Sequence, residues 1–496
     1  MTEPATTITT APSTVGPLRR GHRISGWDPE DIDAWKAGGA KIARRNLVWS
    51  IFAEHIGFSV WSIWSVMVLF MPQNVYHIDA AGKFFLVAMP TLVGAMLRLP
   101  YTTAVARFGG RNWTIVSALA LLVPLILTWH FMSRPATSYT TFMVAAALAG
   151  FGGGNFASSM TNINAFYPQR LKGWALGLNA GGGNIGVPVI QLAGLLVIAA
   201  AGNRRPELVC IAYLVLVVIA ALGAALFMDN LDNQHSNAAA MLRVLRYSDS
   251  WVLSFLYIGT FGSFIGYSFA FGQVLQINFS ATPGTTAAAA ALHAAQIAFL
   301  GPLLGSLSRP LGGLLADWFG GAKITMWCFL AMALAAGVVV AAGTRNDGRP
   351  GKISTGIMVA YVAGFIVLFI ISGIGNGSVY KMIPVAFAKR SLHLEGFSSE
   401  QATRWARSMS GALIGIAGAV GALGGVFINV VLRASYAGAD KSATMAFWVF
   451  LAFYLVCLAV TWIAYVRQPG ADQRLRLAWR ATDGAATEAV NLPRYQ

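Results

Sequence analysis

Charge is what this sequence has least of. Only 11% of its 496 residues are Asp, Glu, Lys or Arg, against about 25% in a typical soluble domain. With 56% hydrophobic residues, that shortage excludes a soluble globular chain and implies an integral membrane protein. Cysteine is nearly missing. Cys210, Cys328 and Cys457 stand far apart in apolar runs, which excludes a disulfide framework and a zinc site and leaves buried thiols. Acids are fewer than bases, 19 against 35, but the resulting charge of +16 does not indicate nucleic acid. The bases lie in the terminal segments and in short loops, not on one patch. His-Glu-x-x-His, Gly-x-Ser-x-Gly and a phosphate-cradling Gly-Lys-Ser/Thr are all absent. No enzyme chemistry and no cofactor are expected. Residues 1–46 are polar and contain no cleavable apolar stretch, so no secretory signal is read there.

What is present is a series of long apolar runs. A helix needs about 20 apolar residues to cross the hydrocarbon core. Twelve runs qualify: 47–71, 83–106, 112–132, 139–163, 172–200, 208–228, 250–276, 290–316, 323–343, 354–384, 407–432 and 443–467. The expected fold is an all-α membrane protein of twelve transmembrane helices in two six-helix halves, 47–228 and 250–467. A polar cytoplasmic linker, 229–249, joins them, with tails 1–46 and 468–496 at either end. Basic residues such as Arg44, Arg45, Arg107, Arg111, Arg170, Lys172, Arg243, Arg246, Lys389 and Arg390 fall on one side of an even number of crossings. That bias predicts cytoplasmic termini in the cell membrane. Arg134, Arg204, Arg205, Arg345 and Arg349 fall on the other side and run against it.

The halves repeat internally. Gly94-Ala-Met-Leu-Arg98 precedes Phe108-Gly109-Gly110, and Gly305-Ser-Leu-Ser-Arg309 precedes Phe319-Gly320-Gly321 at the same offsets. Gly152-Gly-Gly154-Asn155 matches Gly373-Ile-Gly375-Asn376, each followed at equal distance by an aromatic, Phe166 or Phe387. A charge inside an apolar helix is expensive and marks a transport pathway. Arg98 and Arg309 each lie ten residues before their loop, roughly 15 Å along a helix, which is too deep for comfortable snorkelling. Glu54 is the one clear acid away from helix ends. Two cations against one acid leave positive charge for a ligand, and a planar guanidinium donates paired hydrogen bonds to a flat oxyanion. The pair is therefore read as a clamp for a small anion.

Two motifs carry a family resemblance. Arg107-Phe-Gly-Gly-Arg111 and Asp317-Trp-Phe-Gly-Gly-Ala-Lys323 resemble the loop motif of the major facilitator superfamily. The acid is present only in the second copy, since Ala106 stands opposite Asp317. Gly150-Phe-Gly-Gly-Gly-Asn-Phe156, continuing through Ala175-Leu-Gly-Leu-Asn-Ala-Gly-Gly-Gly-Asn184-Ile-Gly-Val-Pro188, resembles the signature of that superfamily's nitrate/nitrite porter family. The likeness covers about residues 26–467. It implies nitrate and nitrite as substrates, an arginine at positions 98 and 309, a ring of Phe58, Phe156, Tyr257 and Phe261 around the anion, and an amide from Asn184.

Several roles stay open at this stage. Gly152, Gly154, Gly181, Gly183, Gly373 and Gly375 either pack helices closely or let them slide during transport. Glu54 and His55 either relay a proton or make helix contacts. Lys381 is either an interfacial cation or a gate. The reading is a secondary transporter working by alternating access, with nitrate/nitrite exchange as its mode. Proton-coupled nitrate symport and carriage of another monovalent anion such as formate are the alternatives. The expected partners are the anion and the lipid bilayer, with a monomer sufficient to complete the site. A channel is disfavoured by the repeat and the discrete arginine pair.

Overall fold

The computed structural model describes residues 18–232, 238–282, 284–347 and 354–467. The start of the predicted N-terminal tail, the whole predicted C-terminal tail 468–496, part of the predicted linker and Arg349 lie outside the described residues. Nearly everything described is helix. Ten helices are long and apolar enough to cross a membrane: Ala80–Phe108, Gly110–Met132, Gln169–Arg204, Glu207–Phe227, Ser248–Ser280, Ala287–Phe319, Gly321–Asp347, Thr355–Ser391, Ser399–Ala437 and Thr444–Val466. The first predicted span is a broken pair, Ile32–Trp61 and Ile63–Phe70, bent by 44°. Ser62 lies at the bend, and its hydroxyl donates to the carbonyls of Phe58 and Ser59, a back-bonding that distorts helices. The fourth predicted span is Tyr139–Ala149 followed by Phe151–Phe166. Its glycines, serines and asparagines fill space but add little hydropathy, so it falls outside those ten although the run 139–163 stands out in the sequence. Below, spans are numbered one to twelve in chain order.

Close helix approach explains most of the conserved-looking spacing within each half. A Cβ on Gly152 would stand 2.0 Å from the Gly57 carbonyl, and one on Gly373 2.1 Å from the Gly305 carbonyl. The two contacts are not equivalent under the repeat: Gly152 brings span four onto span one, whereas Gly373 brings span ten onto span eight, the counterpart of span two, which Gly153 meets at Gly94 in the first half. Gly154 abuts Tyr101, Gly183 abuts Glu54 and Gly375 abuts Thr260. Gly181 departs from the expectation. Nothing lies within 4 Å of its missing Cβ, because it faces away from span one while Gly182 and Gly183 face it.

Among the described residues, the side-chain hydrogen bonds that join the halves lie at the level of Arg98 or farther from the chain termini. Gln191 donates to the Ser268 carbonyl at 2.7 Å, Gln273 to Ala80 at 2.9 Å and Gln276 to Leu69 at 3.0 Å. Phe84 stacks on Tyr436 at 5.2 Å, and Trp61 meets Phe269 edge to face. Toward the termini, Gly173, Gly177 and Gly411 face open space.

The segment expected to be a tail is built into the first half. The regular α-helix of span one begins at Ala40, after a short helical stretch from Ile32, earlier than the apolar run, because Lys41, Arg44 and Arg45 extend it into polar surroundings. Before it, β1 (Leu18–Arg20) pairs antiparallel with β2 (Arg23–Ser25), and β2 pairs parallel with β3 (Asn230–Leu231) just after span six. Ile24 and Trp27 are buried with Leu231 and Phe166. Asp229, fully buried, accepts from Arg45 at 2.5 Å and Asn46 at 3.0 Å. Asp232 accepts from Ser25 and Arg23, and these bonds hold its carboxyl below the usual range. Glu30 accepts from the Gln169 amide at 2.7 Å, at the start of span five.

The loop motif is asymmetric in structure as in sequence. In the second half Lys381 pairs with Asp317 at 2.8 Å. The corresponding positions of the first half are Met160 and Ala106, so both charges are missing together and neither is left unpaired. There Arg111 instead donates to the Ala225 carbonyl, and Asn230 receives the Arg111 amide at 2.9 Å. Lys381 is thus an ion-pair partner on the second half's own surface, not a lone interfacial cation.

Candidate functional site: two arginines on one ring

Arg98 lies in span two between two prolines inside the helix, Pro90 and Pro100. Trp61 donates its indole N–H to the Pro90 carbonyl at 2.7 Å. The same indole then lies 5.5 Å below the Arg98 guanidinium. Arg98 is 1% exposed. Its Nε donates to the Gly153 carbonyl at 3.3 Å and its Nη1 to the Gly418 carbonyl at 2.6 Å. The second bond crosses from the first half to span eleven. Phe156 at 4.8 Å and Phe261 at 5.2 Å complete an aromatic cage around the cation.

Arg309 enters from span eight. Its Nη2 donates to the Tyr257 hydroxyl at 3.1 Å. The guanidinium lies 5.1 Å from the Tyr380 ring and 5.9 Å from Phe261. The Tyr380 hydroxyl stands beside it, outside hydrogen-bond geometry. Phe261 is therefore shared by both arginines. It stacks on Tyr257 at 5.1 Å, and Tyr257 meets Tyr380 edge to face at 4.7 Å. A π-helical turn, Ile258–Gly262, turns this part of span seven toward the centre, a local widening common at functional sites.

Neither guanidinium is paired with a carboxylate among the described residues. Arg98 Nη2 and Arg309 Nη1 are both buried atoms with no hydrogen-bond partner among the described residues. A buried Arg98 and a part-buried Arg309, both aromatic-caged and each with a free donor, can offer paired hydrogen bonds to a small planar anion. The rings exclude water, and a low local dielectric strengthens charge attraction.

Most of the sequence-predicted residues meet here. Arg98, Arg309, Phe156, Tyr257 and Phe261 touch directly, and Phe58 joins through Phe156 at 6.0 Å. Asn184 is buried, and its amide has no hydrogen-bond partner among the described residues, so no bond ties it to the arginine cluster. Glu54 and His55 bond span five, and Glu54 also lies within charge-interaction range of both arginines. Glu54 accepts from Asn179 at 2.6 Å, Asn179 also donates to Ser159, and Ser159 bonds Ser50. His55 Nδ1 meets the Gly182 carbonyl at 3.1 Å. The sequence reading missed Trp61, Tyr380 and the Gly418 carbonyl. Trp61 follows Phe58 by three residues, a same-face spacing that offered a signal. Tyr380 has a serine, Ser159, at the matching place of the first half, so the repeat did not expose it.

The fold and this cage define a helical secondary transporter for a small anion. The Major Facilitator Superfamily model matches residues 55–396. The chain is 36% identical over 468 residues to the nitrate/nitrite transporter NarU of Salmonella typhimurium, covering 91% of this chain and 97% of that one. It is 30% identical to the probable nitrate/nitrite antiporter NarK2 of Thermus thermophilus, covering 92% and 98%. A D-xylose-proton symporter shares the fold at TM-score 0.61 and 12% identity, over 84% of this chain and 96% of that chain. The chain belongs to the nitrate/nitrite porter family of the major facilitator superfamily.

Proposed function

We propose that this protein exchanges nitrate and nitrite across the cytoplasmic membrane, with Arg98 and Arg309 gripping the anion from opposite halves. The observation that carries this reading is the pair of free buried donors, Arg98 Nη2 and Arg309 Nη1, set around one shared ring. Unpaired charges in a desolvated site are costly. An anion between the arginines neutralises both and favours closure of the halves, 47–228 against 250–467. Without the anion, repulsion between the two cations resists closure, so one anion leaves only as another enters. Asn184 and Phe58 shape the wall of the site. All these groups come from one chain, which supports a functional monomer. The basic bias of the loops supports cytoplasmic termini.

A second reading has its own support. Glu54 is 1% exposed, and its Oε1 has no hydrogen-bond partner among the described residues. A buried carboxyl of this kind can carry a proton, which would make the protein a proton-coupled nitrate symporter. Nitrate uptake into proteoliposomes, with internal nitrite present or absent and at two imposed pH gradients, separates the two. Exchange predicts uptake that needs internal nitrite and ignores the gradient. Gradient-driven uptake into nitrite-free vesicles overturns it in favour of Glu54.

A further inference from the structure

Gly418 differs from the other glycines of span eleven. A Cβ on Gly424 would stand 2.7 Å from the Gly262 Cα, and one on Gly421 2.5 Å from the Tyr257 ring. Those glycines let span seven approach. Gly411 faces open space. The three atoms nearest a Cβ on Gly418 would be Arg98 Nη1 at 3.2 Å, the Tyr380 hydroxyl at 3.6 Å and the edge of Phe156 at 3.9 Å. All three belong to the arginine cage, and they come from both halves. The missing side chain therefore leaves room inside the cage and none between helix backbones.

The same residue also fixes Arg98. Its carbonyl takes Nη1 at 2.6 Å while the Gly153 carbonyl takes Nε. With two of its nitrogens anchored, Arg98 cannot retreat from a new methyl without breaking a buried bond. The methyl would instead occupy space between Arg98, Tyr380 and Phe156.

We propose that Gly418 sets the size of the oxyanion the cage admits, its bare Cα providing the volume that separates nitrate from the smaller nitrite. The proposal rests on the anion-carrier reading. A pocket changed by a methylene-sized group discriminates by roughly 10- to 200-fold. The test is the ratio of nitrate to nitrite counterflow in proteoliposomes for the intact protein, Gly418→Ala, Gly411→Ala and Gly424→Ala.

Gly418→Ala should lower the nitrate-to-nitrite ratio by about tenfold or more while nitrite still exchanges. Gly411→Ala should behave as the unaltered protein. Gly424→Ala should depress both anions alike, as a packing change does. Adding Tyr380→Phe to Gly418→Ala removes the hydroxyl nearest the methyl and should restore part of the ratio. An unchanged ratio, or equal loss of both anions, in Gly418→Ala overturns the proposal. Should Gly418→Ala fail to fold, Tyr380→Phe alone tests the same space: the ratio should rise, and no change overturns the proposal. Failure of the unaltered protein to carry either anion refutes the carrier reading itself.

Discussion

Replacing Arg98 by lysine keeps the charge and removes the geometry. The guanidinium makes a bond to Gly153, a bond to Gly418 and one free donor, Nη2, all at once. A single ammonium is a point donor and cannot reach all three directions. A hydrogen bond to a charged group contributes about 1.5–3 kcal/mol. Losing the anion bond and one anchoring bond therefore costs about 3 kcal/mol at the low end of that range, or roughly a hundredfold in affinity at 1.4 kcal/mol per decade. Arg98→Ala also removes the charge and should be worse, since breaking a buried pair costs about 3–5 kcal/mol. Arg309→Lys should follow Arg98→Lys, because Arg309 also divides its nitrogens between a fixed bond to Tyr257 and a free donor. The assay is nitrate counterflow over a concentration series in proteoliposomes, alongside thermal unfolding of the purified variants in detergent. Arg98→Lys protein that melts normally yet transports nitrate within about threefold of the unaltered rate and KM would refute the clamp.

The remaining predictions concern packing, surface charge and acid. Gly152→Ala forces a methyl onto the Gly57 carbonyl and should cost about 1–3 kcal/mol by overpacking, read as a lowered Tm, whereas Gly181→Ala should leave Tm unchanged. The Lys381–Asp317 pair is about half exposed on both sides, so a double-mutant cycle with Asp317→Asn and Lys381→Met should give a coupling below about 1 kcal/mol. Asp232 has a lowered folded pKa. Its contribution to holding β2 is therefore present above the free carboxylate pKa near ~3.9 and is lost as pH falls through the lower folded value. Protease cleavage after Arg23 should rise only below that range, and Asp232→Asn should expose the site at neutral pH.

Different parts of the molecule were legible to different degrees, for physical reasons. Membrane spans are written as composition, so most ends fell within a few residues of the observed ones. The fourth span, counted among the apolar runs at 139–163, falls outside the ten long apolar helices because glycine, serine and asparagine carry its packing. Arg98 and Arg309 were readable because a charge in an apolar run has few explanations. Tyr380 was not, since an aromatic beside Lys381 looks like any interfacial tyrosine. The Gly418 carbonyl was not, since a backbone acceptor has no letter. Gly181 and Gly183 read alike, yet about half a turn of helix separates them and points the first to open space and the second at Glu54. The strands at 18–25 were missed because nothing local stabilises them. Their partner is β3, on the far side of six helices.

That last pairing bears on how the protein is made. His22 bonds the Met228 carbonyl across 206 residues of chain, and Arg23 and Ile24 sit beside Asn230 and Leu231. Such contacts form late, because a long loop must close first. Residues 18–25 must therefore wait, unpaired, until six spans have been inserted and β3 has followed them. Only then does this segment close over the finished half.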